Sequence, residues 1–326
     1  MDLRTSAGTF PGRRQNVLRT ERQYRQCRLR PLGSLPSAIG LCLTLLTACA
    51  GLPPAAPPGP HFMEQEKIAD LPGGHIVYLD SGGSGVPVLL LHPNNERMWR
   101  FQFPSFARAG FRIIAIDYRN RSGTSEQPDV RGNVMRIDQL TTQLALPNFH
   151  LIGTGGGSVV AMQYALAHPD KIRALVITNS LAGLRDKDIN ALELSLRPPP
   201  FNQLPQDFRE LSGSYRAAHP EGVQEWLQME KQGRDAIAPP AAAASGAPTP
   251  SPNPNELTLA RLDLWTAPTL MLTGDADLYT PPSVMRLFVS HLKHGTGAVI
   301  PDSGHDAYWE NPEAFNRELL AFIRNH

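Results

Sequence analysis

The sequence predicts an α/β fold: a mostly parallel central sheet flanked by helices, with a helical cap inserted over one end. Three observations predict it. Apolar runs recur as continuous strings, VPVLLLH (86–92), FRIIAID (111–117) and IRALVIT (172–178), as expected of strands buried on both faces of a parallel sheet. Helical patterns separate them at short intervals, near 96–109, 133–145, 157–168, 283–293 and 312–324. One interval, 181–262, breaks this rhythm with amphipathic helices of its own.

The strands expected in order are His75–Asp80, Val86–His92, Phe111–Tyr118, Phe149–Thr154, Ile172–Ser180, Pro268–Thr273 and Gly297–Pro301. The last helix opens at Asn311-Pro312-Glu313, a capping side chain followed by proline at the first helical position and an acid in the first turn. Within 181–262 the pattern gives helices at Asp186–Leu196, Phe208–Ala218 and Val223–Lys231, then the low-complexity run IAPPAAAASGAPTPSPNPN (237–255), too poor in apolar residues to bury a core. The interval reads as a cap over the strand ends, where open α/β sheets bind ligands, or else as surface decoration.

The first 62 residues read differently. Residues 1–37 carry eight Arg, no Lys, and only Asp2 and Glu21 as acids. An uncharged run from Ala38 to Ala48 follows, too short to span about 30 Å of hydrocarbon but suited to the apolar region of a secretory signal. It ends in Leu46-Thr47-Ala48-Cys49, which resembles the lipobox of bacterial lipoproteins. That resemblance implies a signal peptide over 1–48 and lipid attachment at Cys49, and Ala50 leans towards an outer-membrane protein facing the periplasm. The alternative is a plain signal peptide with a chance Cys. Residues 49–62, including the proline-rich GLPPAAPPGP, are expected to form an extended tether to a domain over 63–326. With Cys27 and Cys42 lost and Cys49 acylated, the domain has no disulfide available.

Composition excludes some partners. The 31 Lys+Arg nearly balance 30 Asp+Glu, and removal of the Arg-rich leader makes the remainder mildly acidic. Neither balance suits nucleic acid. The ten His show no ligand spacing with acids or Cys, so no metal is expected. No cofactor is expected either, although Gly153-Thr154-Gly155-Gly156-Gly157 after a strand is a rival dinucleotide signal on spacing alone.

Five segments in order resemble the α/β-hydrolase superfamily across roughly 68–325: VPVLLLHPNN (86–95), IAIDYRNRSGTS (114–125), the span 149–180, LMLTGDADLYTPP (270–282) and PDSGHDAYWENPEAF (301–315). The resemblance implies His305 as general base and Asp277 as the acid orienting it, with Asp275 as competitor. An imidazole of ordinary pKa suits proton transfer at neutral pH. It also implies oxyanion donors in the backbone N–H groups of Asn94 and Gly156, because Pro93 has none to offer.

The departure lies at the nucleophile. The family's Gly-x-Ser-x-Gly elbow is here Gly153-Thr154-Gly155-Gly156-Gly157, so Gly155 stands at the nucleophile position and cannot form an acyl-enzyme. Ser158 is the nearest substitute hydroxyl, and Thr154 is expected to point away. Two functional classes follow. One is an enzyme using the His305–Asp277 dyad on a small, mostly apolar acyl, ester or lactone substrate, by activated water or in a lyase-type proton abstraction. The other is a non-catalytic lipoprotein that keeps the pocket to bind a ligand or partner.

Overall fold

The computed structural model describes residues 66–72, 74–119, 129–182, 184–236, 257–262 and 264–326. The leader 1–48, the Cys49 anchor, the tether 49–62 and the loop 237–255 lie outside these residues.

The elements alternate as β1 (Lys67–Leu71), β2 (Gly74–Asp80), β3 (Pro87–Leu91), α1 (Gln102–Arg108), β4 (Arg112–Asp117), α2 (Val130–Gln143), β5 (Phe149–Thr154), α3 (Gly156–Ala167) and β6 (Ile172–Thr178). The cap follows with α4 (Lys187–Leu196), α5 (Gln206–Glu210), α6 (Gly213–Ala218), α7 (Pro220–Asp235) and α8 (Leu259–Leu262). The chain closes with β7 (Thr269–Gly274), α9 (Pro282–Val289), β8 (Gly295–Ile300), α10 (Ala307–Glu310) and α11 (Pro312–Arg324). The eight strands form one sheet in the order β1-β2-β4-β3-β5-β6-β7-β8. It is parallel from β4 to β8, with β1 and β2 antiparallel at one edge.

Side chains alternate across each strand, so the apolar strings feed two cores. Leu89, Leu91, Ile114, Leu151, Leu175 and Met271 pack under Val134, Ile137, Tyr164 and Phe288 on one face. Val88, Leu90, Ile113, Ile152, Val176 and Leu270 pack under Trp99, Phe103, Phe106, Phe315 and Leu319 on the other. The α11 start is capped by Asn311, whose side chain accepts from the N–H of Ala314.

Three details differ from the sequence reading. β1 was not anticipated, because KIADL buries only Ala69 and offers no apolar run. The helix expected over 96–109 is two pieces: a 3₁₀ turn over Glu96–Trp99, capped by Asn95, and then α1. The helix expected over Phe208–Ala218 is likewise broken. Leu211 is extended and buried, and Ser212 starts α6 by accepting from the N–H of Tyr215 at 3.1 Å.

Candidate active site

The elbow between β5 and α3 is built on glycine for two separate reasons. A Cβ at Gly157 would lie 2.3 Å from the Leu91 carbonyl oxygen, and one at Gly153 would lie 2.4 Å from that of Gly157, so only glycine lets α3 start against the sheet. Gly155 instead sits at φ 51° and ψ −125°, a left-handed turn that a side chain strains. A Cβ there would meet nothing nearer than Pro93 Cγ at 3.4 Å. The nucleophile position is thus sterically open and chemically empty.

Across the cavity, the loop after β8 presents His305. Its Nδ1 lies 3.0 and 3.2 Å from the two oxygens of Asp277, which follows β7. The backbone N–H groups of Tyr279 and Thr280 donate to Asp277 Oδ1 at 2.7 and 3.0 Å, fixing the carboxylate in place. Asp275, the other acid of that loop, accepts from the N–H groups of Asp302 and Ser303 instead and shapes the histidine loop. The ring of Tyr279 lies over the imidazole with centroids 4.3 Å apart.

The imidazole's other nitrogen, Nε2, lies 3.8 Å from Oε2 of Glu210 at the end of α5. Burial alone would discharge this histidine, but the charge and hydrogen bond of Asp277, then Glu210 and Asp306, more than reverse that and raise its pKa to about 9. The carboxylates around the ring thus favour its protonated form. The sequence expectation of an imidazole near its ordinary pKa did not include these charges.

Further residues singled out by the sequence find their places here. The Asn94 N–H was expected to serve an oxyanion, but it donates to Nδ1 of His92 at 3.1 Å, as does that of Asn95 at 3.2 Å. Burial, reinforced by the Arg119 charge, lowers the pKa of His92, which keeps it neutral and able to accept both bonds. Ser158, weighed as a substitute nucleophile, is fully buried under the elbow, its hydroxyl aimed at the carbonyls of Gly153 (2.7 Å) and Thr178 (2.9 Å). It is no part of the cavity lining. Thr154, expected to point away, does reach the lining. Its hydroxyl is bonded to Asn179. Gly156 opens α3 beside the cavity, its N–H at the positive end of the helix.

The cavity measures about 270 Å³ and holds Pro93, Gly155, Gly156 and His305 together. Its walls also carry Glu193, Glu210, Glu230 and Asp306 against Arg197. Burial raises the pKa of Glu193, of Glu230 and, most of all, of Asp306. These carboxyl groups interrupt a lining whose surface is otherwise largely apolar. Among the described residues, no group of three or more His, Cys, Asp or Glu could hold a metal ion.

The model of the alpha/beta hydrolase fold family matches residues 86–312, a span holding both the elbow and the histidine loop. The chain belongs to that family. Among relatives of this α/β-hydrolase, bifunctional epoxide hydrolase 2 of Rattus norvegicus is 27% identical over 157 residues, 46% of this chain. The chain spans only 28% of that protein's length. A 2-hydroxy-6-oxononadienedioate/2-hydroxy-6-oxononatrienedioate hydrolase of Burkholderia vietnamiensis is 24% identical over 267 residues, covering 76% of this chain and 91% of its own. A solved esterase from Thermogutta terrifontis superposes with a TM-score of 0.62 at 24% identity, over 80% of this chain and 98% of that one.

Two site residues of this α/β-hydrolase escaped the sequence reading. Asn179, held at φ 61°, ties the elbow to the histidine loop. Its Oδ1 accepts from the Gly155 N–H at 2.8 Å and its Nδ2 donates to the His305 carbonyl. Its place at the end of a strand, before a Ser, was the one available signal. Glu210 lies in a cap helix and no motif marks it.

Proposed function

We propose that this α/β-hydrolase-fold protein hydrolyses a small ester, lactone or other activated acyl substrate by direct attack of water, with no serine nucleophile and no acyl-enzyme. One observation carries the reading. Asp277 holds Nδ1 of His305 while Nε2 opens on a cavity whose elbow residue, Gly155, has no side chain. The dyad handles the proton, and the Gly156 N–H at the head of α3 faces the developing oxyanion. The relatives named as hydrolases and the esterase-like fold support hydrolysis. The cavity's volume and its mixed apolar and carboxyl lining support a substrate of modest size.

His305→Ala is expected to lower the initial rate on any substrate the parent turns over by about 10²-fold, the lower end of what general acid or base help contributes. Panels of activated esters and lactones measure this, and stopped-flow should show no burst of leaving group. Equal rates for the two proteins on every substrate would overturn catalysis. That result would leave the second reading, a non-catalytic ligand-binding protein, which the turned-back N–H of Asn94 favours.

The same proposal places the protein in the bacterial cell envelope, as an outer-membrane lipoprotein facing the periplasm and anchored through a thioether at Cys49. Cys49→Ser is expected to abolish incorporation of labelled fatty acid and to release the protein from membranes. Unchanged labelling would defeat the anchor without touching the chemistry.

A further inference from the structure

Nδ1 of His305 is held by Asp277 and the surrounding charges favour the protonated ring, so the proton of an attacking water calls for an acceptor beside the imidazole. The cap brings one to the free face of His305. The two carboxylate oxygens of Glu210 have separate surroundings: Oε1 accepts from the Tyr279 hydroxyl at 2.9 Å, and Oε2 faces Nε2 at 3.8 Å. Its backbone carbonyl accepts from the N–H groups of His305 at 2.7 Å and Asp306 at 3.2 Å, so the side chain springs from a point fixed to the histidine loop. At 3.8 Å the carboxylate and imidazole are too far apart for a hydrogen bond to each other. A water oxygen about 2.8 Å from each would sit to the side of the line joining them, bridging the two on the cavity face that both groups line.

The other acids around the ring are engaged elsewhere. Asp277 holds Nδ1. Asp306 accepts from Trp226 Nε1 at 2.7 Å, and Glu193 pairs with Arg197 at 3.3 Å. Glu230 accepts from Asn94, Gln206 and Arg234.

We propose that Glu210 is the catalytic base of this site, taking the proton of the attacking water while His305 serves as the acid for the leaving oxygen. This rests on the hydrolytic reading above. The water oxygen forms a bond to the acyl carbon as its proton passes to Glu210 Oε2. The tetrahedral adduct collapses, the bond to the leaving oxygen breaks, and that oxygen takes the Nε2 proton. One proton then returns from Glu210 to His305 across the gap, and the pair is restored. Ester and water have become acid and alcohol, with no other reactant.

The test is Glu210→Gln, which keeps the shape and removes the basic oxygen. Its kcat at pH 7 is expected to fall about 10²–10³-fold with KM little changed. In histidine-labelled protein followed by NMR, the His305 titration is expected to move below its starting point of about 9, because a facing negative charge is gone. Glu210→Asp, which keeps the charge, should recover part of the rate, and circular dichroism checks that both variants fold. Full kcat in Glu210→Gln, or an unmoved titration, overturns the assignment. If His305→Ala is dead while Glu210→Gln keeps the parental rate, only the role of Glu210 falls. If the parent and His305→Ala are equal on every substrate, the hydrolytic reading falls and takes this assignment with it.

Discussion

Gly155→Ser is expected to create a serine esterase whose rate on activated esters at pH 9 exceeds the parent's by up to about 10⁴-fold. Loss of the serine from a working triad costs on the order of 10⁶ in kcat, so partial recovery of that factor is a modest demand. Space is available, since a Cβ at 155 meets only Pro93 at ordinary contact distance. The backbone already has the elbow geometry at φ 51°. Holding a non-glycine residue there costs about 1–3 kcal/mol, which should appear as a lowered melting temperature. The pH dependence carries the sign of the mechanism. A serine hydroxyl needs an imidazole that can accept its proton, so the variant's rate should climb about tenfold per unit between pH 7 and 9 as His305 discharges. The parent, using the charged ring as an acid, should instead decline above about 9. A burst of nitrophenol in the variant, absent in the parent, would mark the acyl-enzyme. No gain at any pH up to about 10 would mean that His305 does not reach the elbow.

Arg119→Ala is expected to destabilise the domain by about 3–5 kcal/mol, the range for breaking a buried ion pair from one side. Arg119 is 8% exposed and its partner Asp117 is fully buried. Nε and Nη2 grip the two oxygens of Asp117 at 3.0 Å each. The same guanidinium donates to the carbonyls of Gly233 (3.1 Å) and Asn94. One side chain thus joins the end of β4, the loop after β3 and the last turn of α7. At this domain size the loss corresponds to about 10 °C in calorimetry. Arg119→Lys should recover little, because a single ammonium cannot reproduce the planar fork. A variant that melts with the parent would show that the three segments hold together without it.

The sheet was legible because strands buried on both faces leave an unmistakable trace: nothing but apolar residues from Val88 to Leu91 or from Ile113 to Ile116. The elbow and acid loop were legible because each is a short motif after a buried strand, and the histidine loop because its Ser-Gly-His motif follows the last, more exposed strand. Direction was not legible. Whether the Asn94 amide points into the cavity or back at His92 depends on a peptide orientation that residue identity does not encode. Ser158 could be placed a turn beyond the elbow, but not on the inner side of α3. Glu210 was invisible for another reason. Its partner is 95 residues away, its helix is five residues long, and its importance arises only where the cap meets the histidine loop. The same remoteness hid the lift in His305's pKa, which sums charges from three separate segments.

The hydrogen bonds from the N–H groups of His305 and Asp306 to the Glu210 carbonyl have a counterpart in Glu310. Its carboxyl accepts from Ser212 N–H at 2.7 Å and Gly304 N–H at 2.8 Å. Lid and relay are therefore one rigid piece at their root. A hinge opening there would drag the imidazole off Asp277, so an open mouth would face a disarmed relay.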